Sequence, residues 1–442
     1  VTIALLVLGP RAAMASGFSV ARFASEHGHP TTHNPTALYY NPAALRGERA
    51  ELLIDALIGR RELSYARRRA PTDAEDPPGA EGANVGRAEL DNLLLNPSIW
   101  FSLPATSRLV LGAAVFTPFG GPLSWNERES FKASPYPGPV DGVNRFHAIE
   151  GISTTSYASL GASYAVGDAG LRLGLAASLL YSRIEDVRAW SGGGNSVIGE
   201  GRSLIAVDGF DYALAAGIFY ENRARNVRLG ASYQSRPNLR GGLELRGRLD
   251  NDIGGPSSAD VALHQDLPDI VRLGFGLQVD PGLELRASAA WERWSAFERQ
   301  CVTEAGAPCG VFESGAQPDG GAVLQNVERD YRDALEARAG VSIWTRSGIE
   351  FISSIGIMSA AVPDATFEAG LPDFFGITFT LGGALELSRA LSVAASVSQI
   401  VSPSRNVKSQ LVDLELPSRA PDASGHYTQR VSYLDLNLRW KL

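Results

Sequence analysis

At the C-terminus, Leu434, Leu436, Leu438, Trp440 and Leu442 alternate with Asp435, Asn437, Arg439 and Lys441, so an extended chain here has one apolar and one polar face. The same period of two sets Leu283, Leu285, Ala287, Ala289 and Trp291 against Glu284, Arg286, Ser288 and Glu292. It also sets Leu335, Ala337, Ala339, Val341 and Ile343 against Glu336, Arg338, Gly340 and Ser342. The alternation starts at Glu48, and the connections between alternating segments have a rhythm of their own. Short turns are expected at 104–107, 167–170, 222–226, 280–282, 345–348 and 388–390. Long polar connections rich in Gly and Pro are expected at 67–91, 120–145, 191–202, 249–262, 299–327, 360–372 and 402–427. Turns and loops in that order join about 14 antiparallel strands, with all turns on one side and all loops on the other, as an outer-membrane barrel requires. A soluble sandwich shares the alternation, but not this strand length and rhythm. Closure removes the unpaired edges that lipid would not tolerate.

Composition agrees. The 442 residues suffice for two or three soluble domains or one large barrel, and no boundary divides them. No apolar run approaches the roughly 20 residues of a transmembrane helix. A formal net charge of -8 and a pI near 5.4 argue against a nucleic-acid partner, which needs a basic face. Trp190, Trp291, Trp294, Trp344 and Trp440 fall near strand ends, where an interfacial girdle would lie; the alternative is packing in a core. Cys301 and Cys309 share one loop-like segment, where an oxidising compartment would join them.

Val1 to Gly9 is a short apolar run followed by Ala13-Met14-Ala15, the small residues a signal peptidase reads; a buried first strand or helix is the alternative. Residues 1–15 are therefore expected to be a signal remnant, with Ser16 or Gly17 as the mature start. From there to Gly47 strand alternation is missing. Asn34 to Gly47, NPTALYYNPAALRG, is a dense run of Asn, Pro, aromatic and small residues in which Pro35 and Pro42 fix the backbone and their preceding Asn residues favour turns. A wide barrel needs something to fill it. The expected division is a plug over 16–47 and a barrel over 48–442; the alternative for the former is two unremarkable Asn-Pro turns.

Chemistry-bearing patterns are sparse. His27, His29 and His33 have the spacing of a flexible metal site, but no Cys or carboxylate cluster completes it, and solvated or plug-packing histidines fit better. There is no Gly-x-Ser-x-Gly elbow, and His147 and His264 have no persuasive Ser partner. Gly274-Phe275-Gly276 lies in a strand and lacks the third glycine of a dinucleotide loop. Arg67-Arg68-Arg69 could meet lipopolysaccharide phosphates or be a solvated charge run. No cofactor is expected.

Four stretches carry a family resemblance: GFSVARF with NPTALYYNPAALRG; VFTPFGG; Leu267 to Phe297; and Ala361 to Leu387. Together they resemble the FadL family of outer-membrane transporters for long-chain fatty acids and other hydrophobic compounds. The sequence departs from that pattern at Ser25 to His33, where many members are rich in Gly and Ala, and at Leu442, where an aromatic is usual. The resemblance implies an all-β, 14-stranded antiparallel transmembrane barrel with an N-terminal hatch in its lumen. It implies a passive channel of the Gram-negative outer membrane rather than an enzyme. The alternatives are an outer-membrane hydrolase on a similar barrel and an adhesin-like barrel displaying loops. Partners would be fatty acids or hydrocarbons together with outer-membrane lipid and lipopolysaccharide, and the protein would work as a monomer.

On this reading Phe18, Phe23, Asn34, Pro35, Leu38, Tyr39, Asn41, Pro42, Ala43 and Leu45 form the hatch and ligand surface. A luminal Arg would orient a carboxylate. Lateral release would use a gap where the third strand, from about Arg108 to Gly121, is weakest. Gly112 is the favoured position and Pro118 the second, with Asn41-Pro42-Ala43 opposite the gap.

Overall fold

The computed structural model describes residues 22–71, 73–192, 194–239, 242–312, 318, 320–408 and 423–442. The expected signal remnant, the mature start and Phe18 lie outside the described residues.

The barrel wall uses β1 (Glu51–Arg67), β2 (Gly86–Pro104), β3 (Leu109–Ser124), β4 (Glu150–Val166), β5 (Leu171–Trp190), β6 (Gly201–Asn222) and β7 (Val227–Gln234). After β8 (Leu243–Asn251) and β9 (Ser257–Gln265) come β10 (Ile270–Asp280) and β11 (Leu283–Glu292). Beyond β12 (Arg299–Glu304) and β13 (Val323–Glu328) lie β14 (Ala334–Trp344), β15 (Ile349–Met358), β16 (Gly376–Glu386), β17 (Leu391–Val401), β18 (Arg405–Val407) and β19 (Gly425–Lys441). Each wall strand pairs antiparallel with its neighbour in the order β1-β2-β3-β4-β5-β6-β7-β10-β11-β14-β15-β16-β17-β19, and β19 returns to β1. This is a closed ring of 14 strands. Its last ladder is complete, from Glu51 opposite Lys441 to Arg67 opposite Gly425.

All six short turns lie at one rim. Two of the seven expected loops are something else. Residues 243–265 and 299–328 each form a hairpin, β8–β9 and β12–β13, continuing the wall above a break in β7, β10, β11 and β14. Leu243, Leu245 and Leu249 alternate with Glu244, Arg246 and Asp250, a strand signal that runs on into the expected loop at Leu249.

The two faces follow the alternation. On β1, Ile54 and Ile58 point outward, whereas Leu53, Asp55, Leu57 and Arg61 are buried in the lumen. Leu434, Leu436, Leu438 and Trp440 lie on the lipid-facing surface. Trp190 and Trp440 are exposed at strand ends as a girdle requires, but Trp294 is fully buried, turned inward by the short helix Trp294–Ala296 above β11. Cys301 and Cys309 form a disulfide with a Cα–Cα distance of 6.0 Å at the foot of the β12–β13 hairpin.

Candidate functional site

Residues 22–45 are folded inside the ring as short turns: a 3-10 turn at Ser25–His27, one α-turn at Ala37–Tyr40 and a second 3-10 turn at Pro42–Ala44. The Asn-Pro pairs start the last two. Asn34 Oδ1 accepts from Thr36 N at 2.9 Å, and Asn41 Oδ1 accepts from Ala43 N at 3.1 Å, each an Asx turn ahead of a short helical segment. The Asn41 amide also donates at 3.0 Å to the carbonyls of Pro30 and Ile218, which ties the turn to itself and to β6. Phe23, Leu38, Tyr39, Ala43 and Leu45 are all buried.

The wall makes room for this segment with glycines on six neighbouring strands. A Cβ on Gly112 of β3 would lie 2.9 Å from Leu45 Cδ1, one on Gly161 of β4 2.6 Å from Leu38 Cδ1, and one on Gly274 of β10 2.8 Å from Pro30 Cβ. On Gly174, Gly217 and Gly230 it would overlap Ala43, Asn41 and Pro30 outright. Gly112 is thus a seat for Leu45, and its ladder is intact, to Ser102 on one side and Gly161 on the other.

The weak point in the wall is six residues farther on. The β2–β3 ladder stops at Ile99 and Val115, and the β3–β4 register shifts between Phe116 and Phe119. Thr117 and Pro118 together face the single residue Ser156, a bulge at which proline cannot donate. Above this point carboxamides stand in for backbone pairing. Asn96 Nδ2 donates to Thr117 O at 2.8 Å, and Asn92 exchanges hydrogen bonds of 3.1 and 3.0 Å with the Ser124 backbone. The interruption is therefore at Pro118 and not at Gly112. Asn41-Pro42-Ala43 sits on β4, β5 and β6; Phe23 and Tyr39 are the inner residues that face the interruption.

Aromatic rings fill the lumen at this level. Phe23, Tyr39, Trp100, Phe116, Tyr157 and Phe119 form one connected group, with centroid separations from 4.4 Å for Trp100–Phe116 to 6.2 Å for Phe119–Tyr157. Above it lie a small cavity of about 20 Å³ beside Phe119 and Trp294, and one of about 90 Å³. The latter is walled by Leu123, Ile184, Ile205 and Leu263 and edged by Arg188 and Arg329. A larger concavity of about 840 Å³ is on the lipid-facing surface, where Gly383, Ala395 and Ala56 leave a shallow trench between larger side chains. The lumen, not this trench, holds the polar groups able to orient a ligand.

The three histidines of the N-terminal segment each have a neighbour that explains their placement. His27 Nε2 lies 3.0 Å from Glu350, and His33 Nδ1 3.4 Å from Ala44 O. His29 Nδ1 accepts from Thr31, and burial first, then the Arg286 and Arg228 guanidiniums, hold this imidazole well below its usual pKa. Among the described residues no group of His, Cys, Asp and Glu could hold a metal. His147 faces Glu368, and His264 faces Thr303 and Ala307 O. Arg67 is buried against Asp73 at 2.6 Å and Arg69 pairs with Asp76, so two of the three arginines are neutralised within their own loop.

The sequence profile of the outer membrane protein transport protein family (OMPP1/FadL/TodX) matches residues 11–439. The chain belongs to this family. No curated protein matches the sequence. Among solved structures, a Pseudomonas aeruginosa FadL homologue is similar at 15% identity with a TM-score of 0.73, covering 98% of this chain and 99% of that one. The Ralstonia pickettii toluene transporter TbuX is similar at 14% identity and 0.65, covering 97% and 99%. The Pseudomonas putida toluene transporter TodX is similar at 14% identity and 0.62, covering 96% and 95%. At these identities the likeness shows the fold. Family membership makes this FadL-type protein an outer-membrane transporter of hydrophobic compounds and not an enzyme.

Proposed function

We propose that this FadL-family member is a passive diffusion channel for long-chain fatty acids or similar hydrophobes, which bind in the lumen against a hatch formed by the N-terminal segment and leave sideways between β2 and β3. The observation that carries this reading is the junction of the aromatic group with the interrupted ladder: Phe116, at the end of regular pairing, is also a hub of the luminal rings. An apolar molecule released there enters hydrocarbon directly and never pays the transfer free energy into periplasmic water. Burial of its surface, at about 25 cal/mol per Å², supplies the affinity. The protein works as a monomer, its wall in outer-membrane lipid and its loops among lipopolysaccharide. Titration of purified protein with fatty acids, alkanes and aromatics tests the reading: saturable binding to at least one class is expected, and no saturable binding to any of them overturns it.

A further inference from the structure

The lipid-facing trench crosses β15, β16, β17, β19 and β1. Its floor follows the ladder: Gly383 of β16 pairs with Ala395 of β17, Ala395 with Leu436 of β19, and Leu436 with Ala56 of β1. Leu381 and Leu385 stand on either side of this row. Arg389, in the turn between β16 and β17, is six residues from Gly383 and six from Ala395. At about 3.3 Å per residue and a strand tilt near 40°, that is roughly 15 Å of depth, the hydrocarbon thickness of one leaflet. The trench therefore lies in the leaflet on the short-turn side, which is the periplasmic one.

The rim beneath it is basic. Arg49 precedes β1, Lys441 ends β19, Arg389 joins β16 to β17, and Arg346 leads into β15. Arg49, Arg346 and Arg389 are exposed, and among the described residues no carboxylate pairs with any of them. Lys441 lies 3.8 Å from Glu386, and Glu48 is the other acid of this sector. The remaining short turns balance Arg108, Arg223 and Arg225 with Asp168, Glu221 and Asp280. The excess positive charge of the rim thus gathers under the trench, where Trp440 is exposed at interfacial depth.

Two occupants of such a face differ in charge. A second copy, related by a twofold axis along the membrane normal, would bring these cations against their own images. A phospholipid of the periplasmic leaflet would bring a phosphate to them and an acyl chain to the trench.

We propose that this sector is a binding site for one anionic glycerophospholipid, with its phosphate between Arg346 and Arg389 and one acyl chain laid over Gly383 and Ala395. The site is on the outer wall, so it stands whether or not hydrophobes pass through the lumen. Each arginine near the membrane surface is worth about fivefold in affinity for anionic lipid. The trench adds close contact along the chain that a void would forfeit.

The test is native mass spectrometry of purified protein in nonionic detergent, titrated with phosphatidylglycerol or phosphatidylcholine of identical acyl chains. Wild type should retain one phosphatidylglycerol at about fivefold or more the occupancy of phosphatidylcholine. Arg346→Gln combined with Arg389→Gln should bring the two lipids within about twofold. Ala395→Leu, a change at an exposed lipid-facing position, fills the trench and should lower the occupancy of both lipids by about threefold or more. Heat-modifiable gel mobility checks that each variant is folded. Equal occupancy by wild type, which needs no variant to be seen, overturns the proposal. So do a preference that survives the double Gln variant and an occupancy unchanged by Ala395→Leu. A dimer in place of the lipid adduct would assign the trench to a second copy and overturn it as well.

Discussion

Trp100 of β2 and Phe116 of β3 stack with centroids 4.4 Å apart and an interplanar angle of 17°, on the luminal side of the place where their two strands stop pairing. A ligand moving sideways must part them. An aromatic pair contributes about 0.5–1.5 kcal/mol beyond its burial, so this stack is a light closure rather than a wall. Trp100→Ala should therefore raise the initial rate of hydrophobe uptake by roughly two- to tenfold at matched surface expression. A lower rate would mean that Trp100 holds the ligand instead of blocking it.

The plug is seated on glycines, and the seat should not accept a side chain. At Gly174 an added Cβ meets the backbone of Pro42 and Ala43, which cannot swing aside as a side-chain tip does. Gly174→Val should leave a folded barrel but displace residues 41–45, at about 1–3 kcal/mol of strain. Planar-bilayer recordings should then show a higher ion conductance than the wild type does. A silent Gly174→Val barrel would mean that the N-terminal segment does not close the lumen.

Asn41 links the plug to the wall through one carboxamide. Replacing it with Ala leaves the carbonyls of Pro30 and Ile218 and the amide of Ala43 without that partner. The cost should be about 1–3 kcal/mol, local to the plug. Hydrogen exchange of residues 30–44 should accelerate while the wall strands stay protected.

His29 makes docking of the plug pH-dependent. Its imidazole is held below the ordinary value near 6.5 when docked, by burial and by Arg286 and Arg228, so the undocked segment binds a proton more readily. The contribution is complete above about pH 6.5 and is lost as pH falls below it. Proteolysis of the plug by a protease active across the range should therefore rise from pH 8 to pH 5. His29→Gln should flatten that dependence; an unchanged slope would assign it to other groups.

Much of the wall was legible in the sequence, because a period of two in Leu434 to Trp440 or Leu283 to Trp291 has few other physical meanings. The turn-and-loop rhythm gave the closed ring for the same reason. Composition misled where strands run through Gly-rich, charged stretches: the segment 249–262 reads as a loop, yet it holds the end of β8 and most of β9. Gly112 misled for a different cause, since a glycine in a strand signals either a weak ladder or a close approach, and only the position of Leu45 shows which. Pro118 stands second on sequence because a proline near the end of a strand is unremarkable, yet the register shift falls between Phe116 and Phe119.

Lateral release is the central claim, and deletion of Pro118 tests it most directly. Thr117 and Pro118 oppose one residue of β4, so removing Pro118 leaves Thr117 facing Ser156 and restores the register without moving Phe116 or Phe119. Uptake of a hydrophobe shown to bind the purified protein is measured in cells carrying the deletion, at surface expression equal to wild type. The account predicts that binding persists while uptake falls by about tenfold or more, as expected if the bulge forms the exit. Undiminished uptake with the register restored would contradict it.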